Sequence, residues 1–205
     1  MEKISRNAWI SYERDFLPPN EADTIMLELI QQEEWEQRNI VALGKERMQP
    51  RLMSWAGEIP YRYSGQTLPP KSFSPLLTEL RQRIEQHCKH TFNHIVLNRY
   101  RDGKDHMSSH ADNEPELGKD PLIAALSLGV PRKFMLRHKN KKFKGGKKKL
   151  VLHHGSLLIM GGDIQHRWRH SVPATGGPTG ERINLTLRWL HGPPGWIGES
   201  TEKTR

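Results

Sequence analysis

At 205 residues the chain suits a single domain around one core, and its composition (35% hydrophobic, mean hydropathy −0.76, six Trp and five Phe) is polar but globular, which excludes a disordered chain. No apolar run reaches the ~20 residues that span a bilayer, the opening MEKISRNAWISYERDF lacks the apolar stretch of a secretory signal, and Cys88, the only cysteine, excludes an intrachain disulfide. The net charge of +9 and pI of about 9.8 favour a polyanionic partner, nucleic acid ahead of an anionic membrane surface.

The first predicted helix follows Pro18-Pro19-Asn20, with Asn20 as N-cap and Glu21 and Asp23 in its first turn. Ala22, Ile25, Met26, Leu29 and Ile30 then keep helical spacing. A second helix begins at Ser74-Pro75, a capping residue before a proline at the first helical position, and Leu77, Leu80, Ile84 and Cys88 form its apolar stripe. Both stripes read as scaffold packing. From about His94 the period changes to two. Ile95–Tyr100 reads as a strand that ends at Asp102-Gly103. Leu122–Leu128 and Arg132–His138 read as strands joined in a hairpin by Gly129-Val130-Pro131. Lys149–His153, Ser156–Met160 and Arg182–Leu190 are further strands, with turns at Gly161-Gly162 and Thr175–Gly180. Between two of the strands lies KNKKFKGGKKK, Lys139–Lys149, seven lysines in eleven residues with a flexible turn at Gly145-Gly146. Helices followed by many short strands predict an α+β fold, a β-sandwich or barrel buttressed by helices, and no internal repeat or composition shift marks a domain boundary.

Two stretches carry chemistry. In His110-Ala111-Asp112 the side chains two apart on an extended segment point the same way, so an imidazole and a carboxylate can converge on one ion. His170, in Trp168-Arg169-His170-Ser171-Val172-Pro173, is the candidate third ligand. Two His and one carboxylate form the facial triad of non-haem Fe(II) oxygenases, with positions left open for cosubstrate and O2. A bare H-x-D is common by chance, and His106, His153, His154 and His166 compete among the 11 histidines. The second stretch is Arg182–Trp189, which alternates cleanly. Ile183, Leu185, Leu187 and Trp189 form one face and Arg182, Asn184, Thr186 and Arg188 the other. The polar face either lies in water, as on an ordinary half-exposed strand, or lines an interior. There, two buried arginines need anionic partners, and a small dicarboxylate supplies both charges. Asn98 and Tyr100, also two apart, can add neutral donors.

At these residues the chain resembles the AlkB family of 2-oxoglutarate/Fe(II) dioxygenases. The matching pieces, in order, are Asn98-Arg99-Tyr100 with Asp102-Gly103, His110–Glu114, Ser127-Leu128-Gly129 with Arg132 and Phe134, His154–Met160, Trp168–Pro173 and Arg182–Arg188. They run through roughly residues 94–190. The resemblance implies a double-stranded β-helix, or jelly roll, with N-terminal supporting helices: a single domain with nucleotide recognition and helical support over about 1–93 and the catalytic core over about 94–190. It implies Fe(II) held by His110, Asp112 and His170, which are also the catalytic residues. Arg182 then pairs with the distal carboxylate of the cosubstrate 2-oxoglutarate, Arg188 lies near the proximal one, and Asn98, Tyr100 and Asn184 make further contacts. O2 is the second cosubstrate. Leu187 departs from the Phe usual there and reads as a packing variant.

The N-terminal half is similar to the branch acting on double-stranded DNA. Asn39–Lys45 with Pro50-Arg51 matches its finger loop, and Pro60–Gly65 matches a strand of the base pocket. Substrate contacts are then expected from Val41, Ala42, Leu43, Arg51, Tyr63, Ser64 and Glu114, and from Lys147, Lys148 and Lys149 gripping the opposite strand. The implied activity is oxidative dealkylation of bases such as 1-methyladenine and 3-methylcytosine in DNA, a direct-reversal repair. The alternatives are an RNA or single-strand demethylase of the same family, or a catalytically silent nucleic-acid-binding module. The expected partner is alkylated DNA, double-stranded, with no membrane role. The expected state is a monomer inside the cell, cytoplasmic in a bacterium and nuclear in a eukaryote.

Overall fold

The computed structural model describes residues 1–42, 45–63, 66–176 and 179–192, without the side chains of Val41, Ala42, Lys45 and Tyr63. The strands before the second helix are β1 Glu2–Lys3, β2 Ala8–Glu13, β3 Asn39–Ala42, β4 Lys45–Met48, β5 Leu52–Gly57, β6 Tyr61–Tyr63 and β7 Gln66–Leu68, with α1 Pro19–Gln32 after β2. After α2 Pro75–Cys88 come β8 His94–Tyr100, β9 Met107–His110, β10 Ile123–Gly129, β11 Arg132–His138, β12 Lys147–Leu152, β13 Ser156–Gly162, the short α3 Ile164–Arg167, β14 Trp168–Val172 and β15 Arg182–Arg188. Seven strands form a major sheet in the order β1-β2-β13-β10-β15-β8-β5 and four form a minor sheet in the order β12-β11-β14-β9. The pairs β3-β4 and β6-β7 stand as separate antiparallel ribbons. This is the expected jelly roll with helical support. The core expected over 94–190 is completed by strands from outside that range, since β2 pairs with β13 and β5 with β8. No helix among the described residues is long and apolar enough to cross a membrane.

The core has two main layers. Leu17, Ala22, Ile25, Leu29, Leu77, Leu80 and Ile84 pack α1, α2 and the segment before α1 onto Ile95, Leu97, Leu126, Ile183, Leu185 and Leu187 of the major sheet. Between the sheets lie Tyr100, Ala125, Leu158 and Met160 from one side and Phe134, Leu136, Trp168 and Val172 from the other. Both faces of the major sheet are therefore covered. Every residue of Arg182–Arg188 is buried, so its polar face lines the interior and the water-facing alternative falls. Trp189 lies beyond the strand end and is 38% exposed, outside the apolar face expected of it.

Other local expectations shift for physical reasons. Pro18 is the N-cap of α1 and Pro19 occupies its first turn, so Asn20 sits inside the helix; a proline at the start has its φ pre-set and no N–H to satisfy. Ser74 caps α2 as expected, its hydroxyl oxygen accepting the Leu77 N–H at 3.2 Å. β10 and β11 do not form a hairpin. β10 lies between β13 and β15 in the major sheet, and β11 lies between β12 and β14 in the minor one. The link Gly129-Val130-Pro131 crosses between sheets, and only glycine suits its first position: φ is +89°, and a Cβ there would collide with the Glu181 carbonyl. Gly161-Gly162 ends β13 rather than forming a turn, with the Trp9 indole lying where a Gly161 side chain would be. Thr175–Gly180 holds no strand or helix among its described residues.

Candidate metal centre

His110 ends β9 and His170 lies in the middle of β14, directly opposite it in the minor sheet. Their rings meet edge to face with centroids 4.2 Å apart. Asp112 follows β9 and is 2% exposed. Its carboxylate lies 3.7 Å from His110 Nε2 and 4.0 Å from His170 Nε2. One ligand atom from each of the three falls within 4.8 Å of the others, and no second group of three such residues occurs among the described residues. His106, His153, His154 and His166 lie outside the cluster; His154, for example, accepts the Gly129 N–H at Nδ1 (2.8 Å).

Each member is held. His110 Nδ1 lies 2.8 Å from the Ser108 carbonyl, which fixes that nitrogen as the N–H and leaves Nε2 as a lone pair facing the cluster. Phe134 stacks on the His170 ring, centroids 5.4 Å apart. The backbone N–H of Asp112 donates to Oε1 of Gln165 at 3.1 Å, and Gln165 is itself 1% exposed on α3. Burial lowers the pKa of His170 to about 3, and burial also lowers that of His110, so both imidazoles are neutral at pH 7. Burial pushes the Asp112 carboxyl up, but Arg188, His170 and His110 together outweigh it and hold it at about 2. Two neutral imidazoles and one carboxylate are the protonation states that bind a divalent metal.

A cavity adjoins the cluster. From the major sheet it is lined by Asn98, Tyr100, Asn184, Thr186 and Arg188 and from the minor sheet by Phe134, His170 and Val172. Arg188 reaches Asp112 across 3.1 Å, both side chains buried. Arg182 donates from Nη2 to Ser127 Oγ and Asn184 Oδ1, both at 2.9 Å, and lies over the Tyr100 ring. Its Nε and Nη1 are buried with no hydrogen-bond partner among the described residues. A charged guanidinium with buried unmet donors is costly unless an anion completes it. That observation and the His-Asp-His donor set are what Fe(II) and a dicarboxylate cosubstrate require, so the residues present fit both.

The residues expected to meet substrate are placed unevenly. Glu114 is half-buried beside the cluster; burial and then Asp112 push its carboxyl up, against the opposing pull of Arg188 and Tyr61. Arg51 is 4% exposed and points inward, donating from Nε to Asn98 Oδ1 at 2.6 Å. Leu43 and Ser64 lie outside the described residues, as do the side chains of Val41, Ala42 and Tyr63. Lys147, Lys148 and Lys149 belong to β12 itself and so alternate in direction; Lys148 pairs with Glu2 at 2.5 Å. Two inward residues escaped sequence reasoning. Tyr61, two residues before Tyr63, had the strand period to mark it. Gln165 had no such signal, because it acts on a partner far along the chain, and Ser127, named only within a motif, gains its contact with Arg182 from the fold.

Residues 10–188 match the family model described as the 2OG-Fe(II) oxygenase superfamily. The human alpha-ketoglutarate-dependent dioxygenase alkB homolog 3 is 40% identical over 87% of this chain. The mouse DNA oxidative demethylase ALKBH2 is 37% identical over 82%. The chain spans 65% of the length of the human relative and 74% of that of the mouse one. The solved structure of OsALKBH1 superposes with a TM-score of 0.61 at 16% identity, covering 87% of this chain and 97% of that one, which is likeness of fold. With that fold, that donor set and those relatives, the chain belongs to the AlkB family of the 2OG-Fe(II) oxygenase superfamily.

Proposed function

We propose that the protein is an Fe(II)- and 2-oxoglutarate-dependent dioxygenase that removes small alkyl groups, such as those of 1-methyladenine and 3-methylcytosine, from damaged bases in double-stranded DNA. The observation that carries this is the convergence of neutral His110 and His170 with ionised Asp112 at a cavity lined by Asn184 and Tyr100, against which Arg182 packs with two unmet buried donors. In this reading His110, Asp112 and His170 hold Fe(II). Arg182 binds the distal carboxylate of 2-oxoglutarate through Nε and Nη1, Arg188 supports the proximal end, and Asn98, Tyr100 and Asn184 add contacts. Bound Fe(II) and 2-oxoglutarate with O2 supply the oxidation of the alkyl carbon, giving succinate, CO2, an aldehyde and the restored base. The chain's own residues bind, orient and exclude water, the usual division of labour in a cofactor enzyme.

The base must leave the stack before it can reach the metal centre, at a cost of a few kcal/mol that is smaller for a lesion that pairs badly. In this reading the apolar Val41, Ala42 and Leu43 fill the gap, and Tyr63, Ser64, Arg51 and Glu114 are the expected contacts of the extruded base. The surplus of positive charge and the relatives' names support a nucleic-acid substrate. The test is turnover of a panel of alkylated oligonucleotides, single- and double-stranded, DNA and RNA, with succinate and restored base measured together. Faster repair of methylated duplex DNA is expected. Succinate release without base repair on any member of the panel defeats the substrate assignment, and no succinate release with Fe(II) supplied defeats the enzyme.

A further inference from the structure

The lysine-rich segment is not a loose charge run. The His138 N–H bonds to the Gly146 carbonyl at 2.8 Å, the Gly146 N–H to the Phe143 carbonyl at 3.1 Å and the Phe143 N–H to the Asn140 carbonyl at 3.1 Å, so the expected flexible turn at Gly145-Gly146 is a hydrogen-bonded one. Its organising side chain is Phe143. One face of that ring stacks on His138, centroids 4.3 Å apart at 22°, and its edge meets Trp168 at 6.1 Å. Trp168 is 1% exposed and belongs to the core between the sheets, so the stack is anchored in rigid structure. Phe143 nevertheless keeps 36% of its surface in solvent. It stands in a groove of about 870 Å³ with Arg137, Lys139, Lys141, Lys147 and Arg169, and no carboxylate lines that groove. The groove reaches Ser109, the residue before His110.

Cations alone hold a phosphate backbone and need no aromatic among them. A rigid exposed ring between lysines adds a surface for a base, and every base has a face to offer it, which is how single strands are held without sequence preference. We infer that Phe143 is a base-stacking site, on which an unpaired nucleotide of the bound nucleic acid lies while Lys139, Lys141, Lys147, Arg137 and Arg169 hold the adjoining phosphates. This rests on the nucleic-acid reading above and adds a base contact to what is otherwise a purely electrostatic surface.

The test compares two single-stranded probes of equal length: an oligothymidylate, and the same backbone carrying only abasic sites. Phe143→Leu keeps an apolar cover over His138 and Trp168 but removes the platform. It is expected to weaken oligothymidylate binding roughly 5- to 100-fold, to leave abasic binding unchanged, and to leave the slope of log K against log salt unchanged, because no charge is lost. Phe143→Trp should restore binding and show quenching of the new indole's fluorescence by the base. Melting curves of both variants check the fold, and unchanged affinity for 2-oxoglutarate checks the neighbouring site. Equal weakening on both probes would make Phe143 a structural prop. Unchanged oligothymidylate binding by Phe143→Leu, with the parent protein binding tightly, would overturn the stacking site and leave the nucleic-acid reading standing. If the parent binds neither probe at low salt, the stacking site fails, and binding of a duplex of the same length decides the nucleic-acid reading separately.

Discussion

At the scale of single residues the site is a set of buried polar groups, and its energetics follow from that. Arg182→Ala removes two buried donors that, in the proposed function, meet a carboxylate. A charge-assisted contact of this kind contributes about 1.5–3 kcal/mol, so the 2-oxoglutarate requirement should rise roughly 10- to 150-fold. Arg182→Lys should recover only part, since it keeps the charge but not the fork. Titrating cosubstrate against succinate production measures both, and an unchanged requirement in the alanine variant would exclude Arg182 as a cosubstrate contact. Gln165 acts one step further out. Its Oε1 accepts the Asp112 N–H, fixing the backbone that presents the carboxylate. Gln165→Met is nearly isosteric but leaves that buried N–H without an acceptor. Metal affinity, read by calorimetry with Mn(II) in place of Fe(II), should fall about 10- to 100-fold, the usual cost of losing an outer hydrogen bond to a ligand. Gln165→Glu, which keeps the acceptor, should bind better than the methionine variant; equal affinity in all three proteins would reduce Gln165 to packing.

At the scale of elements, strand alternation decides what the lysine run can do. In β12, Lys147 and Lys149 point one way, while Lys148 points the other and is tied to Glu2. Two of the three are thus available together to phosphates. Changing Lys147 and Lys149 to Ala should flatten the salt dependence of duplex binding by about 1.8, at roughly 0.9 per phosphate contact, and adding Lys148→Ala should change it little further. A triple variant that flattens the slope by about 2.7 would place all three on DNA. The link between β10 and β11 makes a second prediction. Gly129→Ala puts a side chain at φ +89° against the Glu181 carbonyl. It should lower stability by roughly 1–3 kcal/mol, seen as a lower urea midpoint with an unchanged m-value. The hairpin reading of this segment failed because a Gly-x-Pro break marks a reversal of direction without saying whether the chain returns to the same sheet or to the facing one.

At the scale of the whole molecule the two sheets bring together residues from opposite ends of the core. Ligand that binds only the folded chain must stabilise it, by ~2.7 kcal/mol at a hundred times its dissociation constant. Mn(II) with 2-oxoglutarate should therefore raise the melting temperature by several degrees. His110→Ala should abolish that shift and turnover while melting close to the unloaded parent protein, whereas Asp112→Ala should abolish both and also melt lower, because it leaves the buried Arg188 guanidinium without its carboxylate. A full shift in either variant would exclude it as a ligand.

The sequence by itself was sufficient for what repeats locally or binds a motif to an order along the chain. The apolar stripes of α1 and α2, the alternation of Arg182–Arg188 and the H-x-D spacing all follow from helical or strand period, and the ordered motifs identified the family. Which side of a strand is wet is not a local property. Arg182 and Arg188 are buried because α1 and α2 cover one face of the major sheet and the minor sheet covers the other. In the same way His170 is distinguished from the other histidines by lying opposite His110 across β9 and β14, a pairing between distant segments. Gln165 and Phe143 gain their roles only from what the fold sets beside them. Side-chain period is fixed by backbone geometry over a few residues, whereas burial, pairing and the approach of distant side chains depend on which surfaces the chain folds together, and only the tertiary structure decides that.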